Sequence, residues 1–285
     1  MTVSRRFIVA FSMLVTSLAL APRAQAEEFR GNWTISKSKR HGMVQLGLMH
    51  RMHKGHSQHE SDWPLKELQG LDLQPAGKRD VQFNITRDAG RFDCEGYLKD
   101  GEGAGIFRFT ANPRFVADMA ALGFDDIDAD KQFVMAVHDV TIEFAKAMKA
   151  VGLVGLDSDK IIAFRIFDVN VPFIRALRAE GLAAKDADRL IAFRVHGVSP
   201  EMVRDLRQQG IETDEDMLIA FRVHGVSPEF VARIERLGYE RPDPNQLVAM
   251  RVHGVTPEFI TSLKSRGLKD LSIDQLINLR VHGID

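Results

Sequence analysis

One interval governs what this chain can fold into. Gly123, Gly152, Gly181, Gly210, Gly238 and Gly267 are separated by 29, 29, 29, 28 and 29 residues, and Arg165, Arg194, Arg222, Arg251 and Arg280 by 29, 28, 29 and 29. A fixed period of that size, held over most of the second half of the chain, means a tandem array of one supersecondary unit. Each copy contacts only its neighbours, so the array grows in one dimension by stacking.

The unit can be read from its helix ends. From Thr213 to Gly238, Thr213 or Asp214 caps a helix that carries Met217, Leu218 and Phe221 on one face and ends at His224. Gly225 supplies the left-handed residue beyond the end, and Val226 packs back on the last turn. Ser227 caps a second helix, Pro228 fits its first turn, and Glu229 suits the positive end of its dipole. Phe230, Ile234 and Leu237 form its buried stripe, and Gly238 stops it. The same punctuation recurs at His196-Gly197-Val198-Ser199-Pro200-Glu201 and His253-Gly254-Val255-Thr256-Pro257-Glu258. Asp243 with Gln246, and Ser272 with Gln275, have capping-box spacing. Two helices of about ten residues are marginal alone, so their stability must come from stacking.

Upstream the period changes to two, the strand signal. Trp33 and Ile35; Val44, Leu46 and Leu48; Val81, Phe83 and Ile85; Phe92, Cys94 and Leu98; and Phe107 and Phe109 each share one parity. Turn signals at Asp88-Ala89-Gly90 and Asp100 to Gly105 separate the later runs. Five antiparallel strands in meander order are expected, with Trp63 to Leu73 as a loop or short helical turn between the second and third. Cys94 falls on the apolar face and reads as a small buried hydrophobe. As the single cysteine it excludes an intramolecular disulfide and a multi-cysteine metal cluster.

Residues 1–26 read as an export signal: Arg5-Arg6, an apolar stretch from Phe7 to Ala21, and Ala24-Gln25-Ala26 as the cleavage site. The stretch is shorter than the roughly 20 residues a spanning helix needs. The expectation is a periplasmic or secreted bacterial protein with no stable membrane insertion of its mature chain. A formal net charge of −1, made more acidic by removal of the leader arginines, argues against a nucleic-acid partner.

The recurring Arg-Val-His-Gly-Val-Ser/Thr-Pro-Glu-Phe/Met, with Gly about ten residues later, resembles the C-terminal tandem repeats of bacterial antirepressor-type membrane metallopeptidases and of anti-sigma-like exported proteins. Gly31-Asn32-Trp33 matches the Gly-x-Trp pattern of the β segment that precedes those repeats. The resemblance implies an extracytoplasmic sensing or interaction region. It does not extend to the peptidase part: in His59-Glu60-Ser61-Asp62-Trp63, Trp63 stands where the second zinc ligand is needed.

Two sets of residues are candidates for binding. His50, His53, His56 and His59 recur at steps of three, with His41, Met43, Met49 and Met52 nearby, a donor set that suits zinc, copper or nickel if the segment folds back on itself. Its bland alternative is a solvated His-rich loop. Arg165, Arg194, Arg222, Arg251 and Arg280 either compensate helix dipoles and pair with Glu201, Glu229 or Glu258, or form a periodic ladder that meets an acidic partner. His196, His224, His253 and His282 recur once per repeat, too far apart to share one ion, and read as structural. The glycine run from Gly101 to Gly105 lacks the Lys-Ser/Thr ending of a phosphate loop.

The sequence thus predicts an α+β chain: a leader over 1–26, a small antiparallel β domain over 27–110 and a helical-hairpin array over 111–285. The expected function is non-enzymatic: an exported interaction or sensing protein whose stacked helices bind a protein or peptide partner in the cell envelope. No catalytic residue and no cofactor is assigned. The alternative is a periplasmic metal-binding protein that uses the histidine tract.

Overall fold

The structure, a computed structural model, describes residues 28–52, 55–74, 77–239 and 242–284, so the expected leader over 1–26 lies outside the described residues. Strands β1 (Glu28–Lys37), β2 (Met43–Met52), β3 (Gly55–Pro64), β4 (Lys78–Arg87), β5 (Gly90–Lys99) and β6 (Glu102–Ala111) form one antiparallel sheet in the order β3-β2-β1-β6-β5-β4. This corrects the expected five-strand meander in two respects. Two three-stranded meanders are joined through the first and last strands, β1 and β6. The additional strand is β3, which takes part of the histidine tract out of the expected loop and pairs it with β2, Leu48 opposite His59. In Gly55–Pro64 only Trp63 is a large hydrophobe, so an edge strand of this composition carries no alternation to detect.

The inner face is built by pairing rings with glycines. Trp33 lies opposite Gly105, and Gly105 lies opposite Gly96. A Cβ on either glycine would come within 2.7 Å of the indole, so their hydrogen side chains give the ring its seat. The indole Nε1 donates to the Glu95 carbonyl at 3.1 Å. The two edges of the sheet curl toward each other until the Arg87 guanidinium of β4 lies 4.7 Å over the Trp63 ring of β3. A 3-10 turn, Leu65–Glu67, spans between them, and Gln69 then pairs with Asn84 on the β4 edge. Cys94 is buried on the inner face, where burial and then Asp93 push its thiol pKa well up, so it stays protonated and unreactive.

After the sheet come twelve helices among the described residues. One row is α2 (Ala129–Val137), α4 (Ser158–Ile166), α6 (Ala187–His196), α8 (Glu215–His224), α10 (Pro244–Val252) and α12 (Ile273–Val281). The other is α1 (Pro113–Ala121), α3 (Ile142–Ala150), α5 (Val171–Ala179), α7 (Pro200–Gln208), α9 (Pro228–Arg236) and α11 (Pro257–Ser265). From α4 onward in the first row, and in the second from α1 to α3 and from α5 to α11, each helix packs on the next member of its own row, which is the serial layering the period predicts.

The helix ends follow the sequence signals. Ser199, Ser227 and Thr256 accept a hydrogen bond from the third helical residue of α7, α9 and α11. Asp214, not Thr213, caps α8. Both capping boxes form, at Asp243 with Gln246 and Ser272 with Gln275. Gly225 has φ 73° and the Val226 N–H reaches back to Phe221 O at 2.7 Å, which closes a Schellman end. The single 28-residue spacing is absorbed between α7 and α8: Asp214 caps four residues after Gly210, whereas Asp186 caps five after Gly181.

Sheet and array share a core at α2. The Phe133 ring enters the inner face, 5.3 Å from Phe109, 5.7 Å from Phe92 and 5.9 Å from Phe107. Beside it the buried Gln132 amide donates to Ala89 O at 2.7 Å and Asn112 O at 2.8 Å, which satisfies two carbonyls where the chain leaves the sheet. Among the described residues no helix is long and apolar enough to cross a membrane.

Candidate functional site

The arginine row is built into the joints between repeats. Each guanidinium reaches back to the end of the preceding helix in its row. Arg165 Nε donates to His138 O at 3.1 Å, Arg194 to Asp168 O at 2.9 Å, Arg222 to His196 O at 2.9 Å and Arg251 to His224 O at 3.4 Å. These are carbonyls that a helix C-terminus leaves without an internal partner. The guanidinium groups of Arg165, Arg194, Arg251 and Arg280 also lie 5.2, 4.2, 5.0 and 4.8 Å over Phe144, Phe173, Phe230 and Phe259 of the other row. At the Arg165, Arg194 and Arg251 joints one side chain therefore ties three helices together. The expected pairing with glutamates falls to another residue, Arg233, which meets Glu258.

The residue beneath each guanidinium explains a difference between early and late copies. At the first two joints it is Asp139 or Asp168, left-handed at φ 54° and 55°, with its carboxylate 2.7 Å from Arg165 or 2.5 Å from Arg194. At the later joints it is Gly197, Gly225 or Gly254, and an added Cβ would meet Arg222, Arg251 or Arg280 at 2.8, 2.8 and 3.2 Å. The aspartates accept backbone strain and gain an ion pair; the glycines avoid the strain and let the arginine lie closer.

A second cationic row, missed in the sequence, does the same for the other helices. Lys149 lies 4.4 Å over Phe124, Arg178 Nη1 donates to Val151 O at 3.2 Å, and Lys264 Nζ to Leu237 O at 2.5 Å. Lys149, Arg178 and Arg207 are 29 residues apart, a signal as regular as the first, but Glu235 interrupts it in the next copy.

With the arginines engaged in joints, the surface that recurs along the array is apolar. Ile166, Val195, Val223, Val252 and Val281 are 50, 53, 56, 56 and 55% exposed, one on each of α4, α6, α8, α10 and α12. Four residues earlier on the same helices stand Ile162, Ile191, Ile219, Val248 and Ile277, which are buried or half-buried. Spacing of i and i+4 places each pair on one helix face, so five stacked helices carry a two-residue-wide aliphatic stripe across the array. Asp159, Asp188, Asp216 and Asp274 border it at the N-terminal ends of their helices, and the exposed His196, His224, His253 and His282 at the C-terminal ends. Inter-repeat ion pairs hold part of the acidic border, Lys131 with Asp159, Lys160 with Asp188 and Arg189 with Asp216, each at 3.0 Å. The stripe was legible as β-branched residues one step round the helix from the buried Leu190 and Phe193. The sequence analysis gave them no role.

The histidine tract leads to the junction between sheet and array. His50 is buried, with Nδ1 3.2 Å from Arg30 O and its ring 4.9 Å from Phe29 and 5.0 Å from Phe133. The His59 ring stands edge-on to that of His138 at 5.2 Å. Burial lowers the pKa of both; His138, which also faces His59 and Arg165, is held down at about 4. His56 pairs in register with Arg51, and His53 lies outside the described residues. Among the described residues no group of three or more His, Cys, Asp or Glu side chains is placed to hold a metal ion. Arg87 completes the junction, bonded to Glu67 at 2.6 Å and to Asp139 at 2.8 Å, so the first rung of the arginine ladder is anchored in the sheet.

Compared with models of known protein families and with curated proteins, the chain matches none.

Proposed function

We propose that this protein is a non-enzymatic interaction or sensing protein of the cell envelope, and that its partner is a protein or peptide held along the aliphatic stripe of α4, α6, α8, α10 and α12. The observation that carries this reading is the recurrence of a half-exposed β-branched residue on every one of these helices. Scattered exposed hydrophobes are ordinary, but a continuous apolar patch on a chain otherwise rich in surface charge marks a docking surface. Stacked-repeat proteins use such extended faces for binding, an argument from architecture that the exposed side chains make specific. The likeness of the repeats to those of exported sensing proteins, and the leader over 1–26, support an envelope location. The arginine row of Arg165, Arg194, Arg222, Arg251 and Arg280 acts here as the frame that holds the rungs in line.

The reading is tested by placing a photo-activated cross-linking amino acid at Val223 in cells that make the protein, with the same group at the exposed Gln208 of α7 as the control. A discrete adduct from Val223 and none from Gln208 is expected. Absence of any adduct at Val223, Val195 and Val252 would overturn it.

A further inference from the structure

We infer that the occupant of the stripe is a second copy of this chain, seated face to face about a two-fold axis that runs along the array. The inference rests on the stripe being a docking surface, and it names what docks.

Three observations lead to it. First, any other occupant needs apolar groups at the spacing of stacked helices, roughly 8–10 Å, and this chain already carries that pattern. With the two-fold axis along the array, every rung meets its own counterpart, so the register is correct at all five. Second, the borders of the stripe differ in charge. Asp159, Asp188, Asp216 and Asp274 edge one side; His196, His224, His253 and His282, with the arginine row behind them, edge the other. A two-fold along the array reverses helix direction between the copies and sets each aspartate border against the partner's histidine border. The alternative two-fold, across the array, would set acid against acid over its whole length, which disfavours it. Third, the area suffices. Five helices of about ten residues, stacked at roughly 9 Å, present on the order of 700 Å² per copy. That approaches the ~800 Å² per partner of a standard stable interface.

In this arrangement Val195 of one copy packs on Ile191 of the other, and Val223 on Ile219. Such isologous contacts close on themselves and stop at a dimer. Cys94 is buried and stays out of surface disulfide chemistry, so the natural chain is a suitable background for cysteine mapping.

The experiment uses the full chain. Sedimentation equilibrium over a range of concentrations should show a monomer–dimer system. Val195→Lys with Val223→Lys, both at exposed positions that leave the helical circular dichroism unchanged, should raise the dimer Kd at least tenfold. Mixing Val195→Cys with Ile191→Cys under mild oxidation should give a mixed disulfide dimer, whereas Val195→Cys with Val252→Cys, the pair an array-reversing dimer would join, should not. A monomer at every concentration, or preferential joining of the Val195→Cys and Val252→Cys pair, overturns the inference. The photo-cross-link at Val223 separates the two levels of claim. An adduct of two copies of the chain supports both, an adduct only with a different protein overturns the second copy and leaves the docking surface standing, and no adduct removes both.

Discussion

Gly225 shows how much one backbone position can decide. It sits at φ 73° beneath the guanidinium of Arg251, where an added Cβ would lie 2.8 Å from Nη2. Gly225→Ala is expected to cost about 1–2 kcal/mol in urea unfolding, from left-handed strain and displacement of the arginine. Gly225→Asp should cost less than the alanine variant, because Asp139 and Asp168 already serve at the equivalent joints with a carboxylate on the guanidinium. An aspartate variant less stable than the alanine variant would refute this account of the joint. The glycine and its left-handed role were legible in the sequence from His224-Gly225-Val226 alone. The target of the arginine was not, because a guanidinium that reaches one repeat back leaves no local mark. His138 allows a second prediction at this scale. Its pKa is held at about 4 in the fold against an ordinary value near 6.5, so between these values the unfolded chain binds more protons. Its stabilising contribution is therefore present above pH 6.5 and is lost as pH falls toward 4. Discounted for partial exposure, the loss is about 1–2 kcal/mol. The measurement is the urea midpoint from pH 7 to pH 4.5 for the natural chain and for His138→Gln, whose profile should be flatter over that window.

Among the elements, α2 has the largest effect on its surroundings. Its Phe133 ring touches rings from β1, β2, β3, β5 and β6, so it belongs to the sheet's core as much as to the array. Phe133→Ala should cost about 3–5 kcal/mol. Because the loss falls at the junction, limited proteolysis of the variant should cut between Ala111 and Ile142 before it cuts within either half. Cleavage that begins instead inside the later repeats would show that Phe133 is not what joins the halves. The two helix rows were read unequally well. In the second row the buried stripe of α9, Phe230 and Ile234, was placed correctly because the opposite face is charged. In the first row Leu218 and Phe221 were placed on the packed face of α8 and are buried there, but Ile219 and Val223 were assigned to neither side, since apolar residues occupy both sides of α8 and periodicity alone cannot say which side meets water. β3 was missed for the converse reason, having too few apolar residues to show any period.

For the whole molecule the repeat interval was the informative signal, because it reports stacking, a long-range property, through a local regularity. It gave the serial array, the hairpin unit and the interrupted spacing between α7 and α8. It could not give the closure of the sheet through β1 and β6, whose partners, from Ile35 with Gly103 to Glu28 with Thr110, are far apart in the chain and carry no shared pattern. A stack in which each hairpin contacts its neighbours, with one end seated in a sheet, also has a direction. Pulled by its two ends, the molecule should give way at the C-terminal copy first and then shed hairpins one at a time toward Phe133. Each hairpin should release about 100 Å of contour, as 29 residues extended at ~3.5 Å. A force trace with a single large rupture, in place of a regular sawtooth followed by one taller peak for the sheet, would contradict this. Tension applied at the C-terminal copy would thus be recorded as a number of opened units, giving the joints held by Arg280, Arg251 and Arg222 the character of graded mechanical fuses.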